Sequence, residues 1–160
     1  MPTLHMIYGF VGAGKTTFAK SLEQTLPAVR FSQDEWMNKL YRENPPLEHF
    51  TTYYKKVQDL IWTYAERLLE LNQDVILDFG FWSRASRDEA RAKAKAVGAT
   101  TKLYFLDAPE HVLKERVRKR NENLQGSLYV DDHAFELFKT LDLFHDVISL
   151  STLRIYSTLK

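Results

Sequence analysis

The sequence has 160 residues, 44% of them hydrophobic and 27% charged, which is enough to bury the core of one globular domain. Its formal net charge of +1 argues against a strongly basic surface for nucleic acid or an anionic membrane. The absence of cysteine excludes disulfides and thiolate metal sites, and the first residues lack a signal-peptide pattern. We therefore predict a single cytoplasmic domain over residues 1–160, a monomer or dimer that does not contact a membrane.

Short apolar runs alternate with segments of helical periodicity along the chain. The predicted elements, in chain order, are a strand at 4–8, a helix at 15–26, a strand at 28–31, helices around 36–40 and after 46, a strand at 74–79, a helix at 86–97, a strand at 102–106, helices at 109–123 and 131–141, and a weakly patterned strand within 147–159. We expect Ser86 and Glu89 to form a capping box at the start of the helix that Gly98 ends. Strands that are apolar on both faces favour a parallel sheet covered by helices, which is a three-layer α/β/α fold.

A glycine-rich segment follows the first predicted strand. Residues 9–16, GFVGAGKT, match the P-loop pattern G-x-x-x-x-G-K-[ST]. Its glycines let backbone N–H groups converge on phosphate oxygens, and the start of the next helix adds a positive dipole. The amine of Lys15 can reach the β- and γ-phosphates, and the hydroxyl of Thr16 can ligate Mg²⁺. We therefore predict a site for ATP or GTP with Mg²⁺, formed by Gly9, Gly12, Ala13, Gly14, Lys15, Thr16 and Thr17.

Three further segments resemble a known family together with the P-loop. They are residues 31–36 (FSQDEW), 77–84 (LDFGFWSR) and 107–109 (DAP). The chain resembles the small AAA-33-type P-loop kinases, a group similar to chloramphenicol phosphotransferase, zeta toxin and the kinase domain of polynucleotide kinase. The resemblance covers about residues 3–123 and fades beyond Tyr129. It implies a P-loop NTPase fold of the nucleoside and nucleotide kinase type.

Two aspartates follow predicted strands at the edge of the sheet where ligands bind in α/β folds. Asp34 could accept the proton of an acceptor hydroxyl, as in the kinases that its position resembles, or it could cap the helix of Trp36. Asp78 could hold Mg²⁺ directly or through water, or it could contact the acceptor; the alternative is again a cap or turn. We expect both residues to belong to the site.

Aromatic and basic side chains lie beside these aspartates. Trp82 could form part of an acceptor pocket, and Arg84 could bind an anionic group on the acceptor, with Arg87 as a second candidate. The alternatives are that the tryptophan belongs to the core and that both arginines lie on a solvated first turn of a helix. We assign Trp82 and Arg84 to the acceptor site together with Asp34 and Asp78.

A basic cluster lies on the helix after the fourth predicted strand: Lys114, Arg116, Arg118, Lys119 and Arg120. In small P-loop kinases, arginines of a lid in this place close over the phosphates. Arg116 and Arg120 are one helical turn apart, so both can face the nucleotide. The alternative is a solvated helix face on which Glu110 pairs with Lys114.

The resulting hypothesis is a kinase that transfers the γ-phosphate of ATP to a hydroxyl group of a small molecule, with Mg²⁺ as cofactor. Its catalytic residues would be Lys15, Asp34, Arg116 and Arg120. An alternative acceptor is a nucleic-acid 5′ end, which the near-neutral charge disfavours, or an activated sugar as in zeta toxin. A third hypothesis is a nucleotide-binding regulatory protein without efficient catalysis.

Overall fold

A five-stranded parallel sheet with helices on both faces forms the frame of the molecule. The computed structural model describes residues 1–42, 45–125, 127–141 and 153–157. The strands are β1 (Thr3–Tyr8), β2 (Ala28–Ser32), β3 (Asp74–Gly80), β4 (Thr100–Asp107) and β5 (Leu153–Ser157). The helices are α1 (Lys15–Thr25), α2 (Gln33–Tyr41), α3 (Leu47–Glu70), α4 (Arg84–Ala96), α5 (Glu110–Glu122) and α6 (Asp132–Leu141). This arrangement confirms the predicted three-layer α/β/α fold.

The strand order β2-β3-β1-β4-β5 determines where a ligand can bind. All four strand pairs are parallel, so the carboxyl ends of the strands lie at one edge. From β1 the chain crosses over β3 to reach β2, whereas from β3 it crosses over β1 to reach β4. The chain therefore changes direction between β1 and β3, and a crevice opens outside the carboxyl ends of these two strands.

Each face of the sheet contributes to a separate hydrophobic cluster. Along β1, Leu4, Met6 and Tyr8 pack on the side of α2, α3 and α4, whereas Ile7 packs on the side of α1, α5 and α6. This alternation follows from the two-residue period of a strand, and burial on both faces explains why the strands are apolar throughout. None of the described helices is both long and apolar enough to cross a membrane.

Two predicted details differ in the structure or lie partly outside it. The capping box of Ser86 and Glu89 was wrong, because α4 begins at Arg84 and the hydroxyl of Ser83 caps it by accepting a hydrogen bond from the backbone N–H of Ser86 at 3.1 Å. Ser83 takes this role because it lies where the chain leaves β3 and is still extended. The strand expected within 147–159 is β5, and residues 147–152 and 158–159 lie outside the described residues.

A buried histidine lies in the sheet near its amino-terminal edge. His5 is 2% exposed, and its Nδ1 lies 2.9 Å from the hydroxyl of Tyr104, whereas its Nε2 lies 3.6 Å from a carboxylate oxygen of Asp74. Burial lowers the pKa of His5 below the usual 6.5, although Asp74 opposes this shift. As the pH falls below 6.5, the histidine therefore takes up a proton more readily in the unfolded chain than in the folded chain. The free energy of unfolding decreases as a result.

A His5→Gln variant should be less sensitive to acid. Its free energy of unfolding, measured with urea between about pH 7 and pH 5, should fall less steeply than that of the wild type. The offset between the two proteins should thus shrink toward low pH, even if the variant is less stable overall. A constant offset across this range would show that His5 does not contribute to the pH dependence.

Candidate active site

The loop between β1 and α1 has the backbone geometry of a phosphate cradle. Gly9, Gly12 and Gly14 have φ angles of +156°, +83° and +93°, which side-chain-bearing residues rarely adopt. A Cβ atom on Gly9 would lie 2.6 Å from the carbonyl oxygen of Leu106, so the loop also runs close to β4. Within the described residues, no side chain caps the start of α1. The N–H groups at the start of a helix can bind an anion, so this end of α1 fits a phosphate.

Two residues at the start of α1 lie at the carboxyl edge of the sheet. The amine of Lys15 donates a hydrogen bond to the carbonyl of Phe10 at 2.9 Å, so it folds back over the loop. The hydroxyl of Thr16 donates to a carboxylate oxygen of Asp78 on β3 at 2.6 Å. Thr16 and Asp78 are 62 residues apart in sequence, and the parallel pairing of β1 with β3 brings them together.

Asp78 is a buried carboxylate that faces this hydroxyl. It is 6% exposed and pairs with Ser32 across the sheet. Burial raises the pKa of Asp78 and nearby Asp34 raises it further, whereas Thr16 and Lys15 lower it. Carboxylate and hydroxyl oxygens are ligands that Mg²⁺ accepts, so Thr16 and Asp78 fit the metal role predicted for them. Among the described residues, no group of three or more acidic or histidine side chains could hold a metal without further ligands.

Asp34 lies in the first turn of α2, directly after β2. The cap of this helix is Ser32, whose hydroxyl accepts a hydrogen bond from the N–H of Glu35 at 3.4 Å. The alternative that Asp34 serves as the cap is therefore wrong. Burial raises the pKa of the Asp34 carboxyl, whereas the charges of Lys15 and Arg120 lower it. Asp34 thus shares an electrostatic environment with the P-loop lysine and with α5.

The basic cluster of α5 divides between two sides of the helix. Arg116 donates to the carbonyl of Gly12 in the P-loop at 3.4 Å. Arg120 donates to the carbonyl of Leu128 at 3.4 Å, and its buried Nε has no hydrogen-bond partner among the described residues. Burial lowers the pKa of Arg120, whereas the charge of Asp34 raises it. Lys114 and Arg118 instead form ion pairs with Glu110, Glu136 and Asp132. The pairing of Glu110 with Lys114 that the solvated-face alternative predicted is therefore present, whereas the lid role of Arg116 and Arg120 stays a prediction.

Trp82 and Arg84 follow β3 and lie in different environments. The ring of Trp82 packs between Phe10 of the P-loop, with ring centroids 6.0 Å apart, and Phe138 of α6, with centroids 5.2 Å apart. Arg84 is exposed on the first turn of α4 and lies 3.5 Å from the carboxylate of Asp88. The structure places the tryptophan in aromatic packing and the arginine on the surface, and their roles in acceptor binding stay predictions.

Arg87 has a structural role that the sequence did not indicate. It is 2% exposed, and its guanidinium donates to the carbonyls of Phe81 at 2.8 Å and Trp82 at 3.1 Å. It also lies 4.7 Å from the centre of the Tyr8 ring. Phe81 has a φ of +48°, which is uncommon for a residue with a side chain. Arg87 therefore holds the turn after β3 in an unusual conformation.

Two polar residues near Asp34 were also missed. Gln33 is 1% exposed and donates from its side-chain amide to the backbone carbonyl of Tyr54 at 2.9 Å. Burial raises the pKa of Tyr54, and the charges of Asp34 and Asp78 raise it further. In the sequence, Tyr54 belongs to the apolar stripe of a long helix, so its helical spacing indicates packing and conceals its closeness to the two carboxylates.

The sequence matches a known family over most of its length. The model of the family AAA_33, described as an AAA domain, matches residues 4–141. The match therefore continues beyond Tyr129, where the resemblance was expected to fade, and includes α6. The curated proteins include no significant match to this sequence.

Several solved structures share the fold. The Kti12 protein of Chaetomium thermophilum in complex with ADP-AlF3 has a TM-score of 0.73 at 16% identity, over 97% of this chain and 89% of that one. A gluconokinase from Sinorhizobium meliloti 1021 has a TM-score of 0.65 at 16% identity, over 99% and 84%. A chain of the Pnkp1/Rnl/Hen1 RNA repair complex has a TM-score of 0.71 at 22% identity, over 87% of this chain and 43% of its own length. At these identities the similarity shows a shared kinase-like P-loop fold.

Proposed function

Because the chain belongs to the AAA_33 family of P-loop proteins, we propose that it is a kinase that transfers the γ-phosphate of ATP to a hydroxyl group of a small molecule. One observation carries the proposal: the P-loop, Asp78 and Asp34 meet at the crevice beside β1 and β3. The hydrogen bond of 2.6 Å between Thr16 and Asp78 connects the first two of these parts. Asp34 follows two residues after Ser32, which pairs with Asp78 across β2 and β3, and the charge of Lys15 lowers the pKa of Asp34.

The chain's own residues can bind and orient the triphosphate. The amides of the P-loop and the start of α1 would bind phosphate oxygens, and Lys15 would leave the Phe10 carbonyl to neutralise the β- and γ-phosphates. Thr16 and Asp78 would hold Mg²⁺. When bound, this ion neutralises charge on the β- and γ-phosphates. GTP has the same triphosphate, so the affinities of the protein for ATP and GTP should be measured and compared.

The transfer step needs a proton acceptor and cations around the transferring group. Asp34 would take the proton of the acceptor hydroxyl while that oxygen forms a bond to the γ-phosphorus. The bond from this phosphorus to the bridging oxygen of ADP breaks, and ADP leaves with the electron pair. Asp34 raises the pKa of Arg120, and Arg116 bonds to the P-loop, so both arginines could stabilise charge on the phosphoryl group.

Nucleotide binding is tested first by thermal stability. Millimolar Mg-ATP should raise the melting temperature of the wild type, because a ligand at 100 times its Kd stabilises the folded state by about 2.7 kcal/mol. Lys15→Ala should lose most of this shift, whereas Lys20→Ala, which removes an exposed lysine of the same helix, should keep it. A wild type that responds to neither Mg-ATP nor Mg-GTP would refute the proposal.

Phosphoryl transfer is tested separately from binding. The protein alone should hydrolyse ATP slowly, because water is a poorly positioned acceptor, and a suitable hydroxyl compound should accelerate ADP formation and carry the label of γ-labelled ATP. A regulatory protein would instead show no acceptor stimulation in a broad screen of hydroxyl compounds. It would also bind a partner in only one nucleotide state.

A further inference from the structure

The carboxylate of Asp34 is not held by a bond of its own. Among the described residues, it accepts no hydrogen bond from another residue and forms no ion pair. The charges of Lys15 and Arg120 act on it only through space. The place of this carboxylate in the site therefore depends on how the first turn of α2 is held.

Gln33, the residue immediately before Asp34, connects this turn to α3. Its side-chain amide donates a hydrogen bond of 2.9 Å to the backbone carbonyl of Tyr54, 21 residues away in sequence. The bond joins the first residue of α2 to the interior of α3. Gln33 is 1% exposed, so water competes little for this bond.

The other contacts of α2 do not replace the Gln33 bond. Met37, one turn after Gln33, is fully buried in the hydrophobic cluster that α2 shares with α3. Apolar packing has no directional requirement, whereas a hydrogen bond weakens steeply away from its preferred angles. Glu35, on the opposite side of the helix, pairs with Arg30 of β2 at 3.1 Å. The Gln33 bond thus adds a directional contact to α3, which fixes the rotation of the turn that carries Asp34.

The amide of Gln33 contributes little to stability by itself. Its Oε1 is buried and has no hydrogen-bond partner among the described residues. An unpaired buried acceptor is unfavourable by about as much as one hydrogen bond contributes. Methionine would fill a similar volume without an unpaired oxygen. The benefit of glutamine at this position therefore lies in the geometry of the first turn rather than in stability.

We propose that Gln33 is a positioning residue for the transfer step: its bond to the Tyr54 carbonyl holds the Asp34 carboxylate where it can take the proton of the acceptor hydroxyl. This inference rests on the proposed kinase function. Gln33 acts through Asp34 and does not touch the reacting atoms. A displacement of about 1 Å can reduce a rate by about 100-fold, so the bond affects the chemical step more than nucleotide binding.

Gln33→Met removes the amide and keeps the approximate size of the side chain. We expect kcat for transfer from γ-labelled ATP to fall about 10- to 100-fold, with the KM for ATP unchanged, because Lys15 and the P-loop still bind the nucleotide. The melting temperature should stay the same or rise, because the unpaired oxygen is removed together with the bond. Gln33→Asn, whose amide is one methylene shorter, should lose rate in the same way.

Gln73→Met is the matched control. The side-chain amide of Gln73 donates to the backbone carbonyl of Pro27, which is the same kind of bond at the amino ends of β2 and β3. Asp34 follows the carboxyl end of β2, so the loss of this bond should leave kcat at the wild-type value. An equal loss of kcat in Gln73→Met and Gln33→Met would overturn the inference.

A double-mutant cycle tests whether Gln33 acts through Asp34. In the Asp34→Asn protein there is no base to position, so adding Gln33→Met should change the residual single-turnover rate by less than about twofold. The same fold loss in both backgrounds would indicate a merely structural role and would overturn the inference. A wild-type kcat for Gln33→Met, or wild-type turnover by Asp34→Asn, would also overturn it.

These outcomes are distinct from a failure of the proposed function. If the wild type transfers phosphate and Gln33→Met does so equally fast, the kinase function stands and the positioning role of Gln33 falls. If the wild type phosphorylates no acceptor in a broad screen, both fall together.

Discussion

Replacing Asp34 with asparagine should reduce acceptor phosphorylation by about 10²- to 10⁴-fold, the usual contribution of general acid–base catalysis. The amide keeps the size of the carboxylate but cannot take a proton, whereas Lys15 and the P-loop still bind ATP. ATP affinity and melting temperature should therefore stay close to those of the wild type. Calorimetric binding and single-turnover transfer on the same sample measure both effects.

The pH dependence of the rate adds a second readout for Asp34. Its carboxyl pKa is raised above the usual 3.8, so the wild-type rate should fall as the pH drops through this raised value. The Asp34→Asn variant should lack this acidic limb. Wild-type turnover by the variant would exclude Asp34 from catalysis, and a shifted Mg²⁺ dependence would indicate a metal ligand instead.

A matched control separates catalysis by Asp34 from the stability of α2. Ser32→Ala removes the hydroxyl that caps this helix and should cost about 1 kcal/mol of stability. Its transfer rate per folded molecule should change little, because the hydroxyl of Ser32 takes no part in the proposed transfer step. The two variants should thus show opposite patterns: Asp34→Asn loses rate but not stability, and Ser32→Ala loses stability but not rate.

Replacing Asp78 with asparagine should weaken Mg²⁺ binding while leaving the free protein as stable or more stable. A carboxyl group whose folded-state pKa is raised stabilises the fold below its ordinary pKa of 3.8, and this contribution is lost as the pH rises through the folded-state value. At neutral pH the buried charge is therefore unfavourable, and asparagine removes it while an amide oxygen can still accept the hydrogen bond of Thr16.

The metal effect of this substitution is measured by titrating Mg²⁺ at fixed ATP. We expect the concentration for half of the thermal shift to rise roughly 10- to 100-fold. Asp74→Asn at the other end of β3, where Asp74 binds the N–H of Thr3 at 2.8 Å, should leave this concentration unchanged. An unchanged Mg²⁺ requirement in Asp78→Asn would show that Asp78 serves the acceptor or the fold alone.

The sequence predicted the features of this protein that depend on neighbouring residues. Strands were located because an apolar run buried on both faces is visible within a few residues. The P-loop could be located because its conformation needs glycines at set positions. The sequence also placed the P-loop at the same edge of the sheet as Asp34 and Asp78, because the carboxyl ends of parallel strands lie at one edge.

Features that depend on contacts distant in sequence were missed or misplaced. Ser32 and Ser83 cap their helices, and which of several small polar residues acts as a cap depends on where the preceding strand ends. The sequence does not distinguish Arg87 from Arg84. In the structure Arg87 is buried and donates to two backbone carbonyls, whereas Arg84 is exposed. Tyr54 was assigned to a packing stripe, although the charges of Asp34 and Asp78 also raise its pKa.

The close approach of Gly12 to α5 links two parts of the site. A Cβ at this position would lie 2.7 Å from the carbonyl oxygen of Leu113 and 3.1 Å from a methyl carbon of Val117. A shift of the P-loop on nucleotide binding would therefore be passed directly to α5. If the nucleotide favours one position of α5, thermodynamic linkage requires that a substitution favouring the same position increase nucleotide affinity. Substitutions along this helix can thus tune affinity for the nucleotide while every residue of the phosphate-binding motif stays the same.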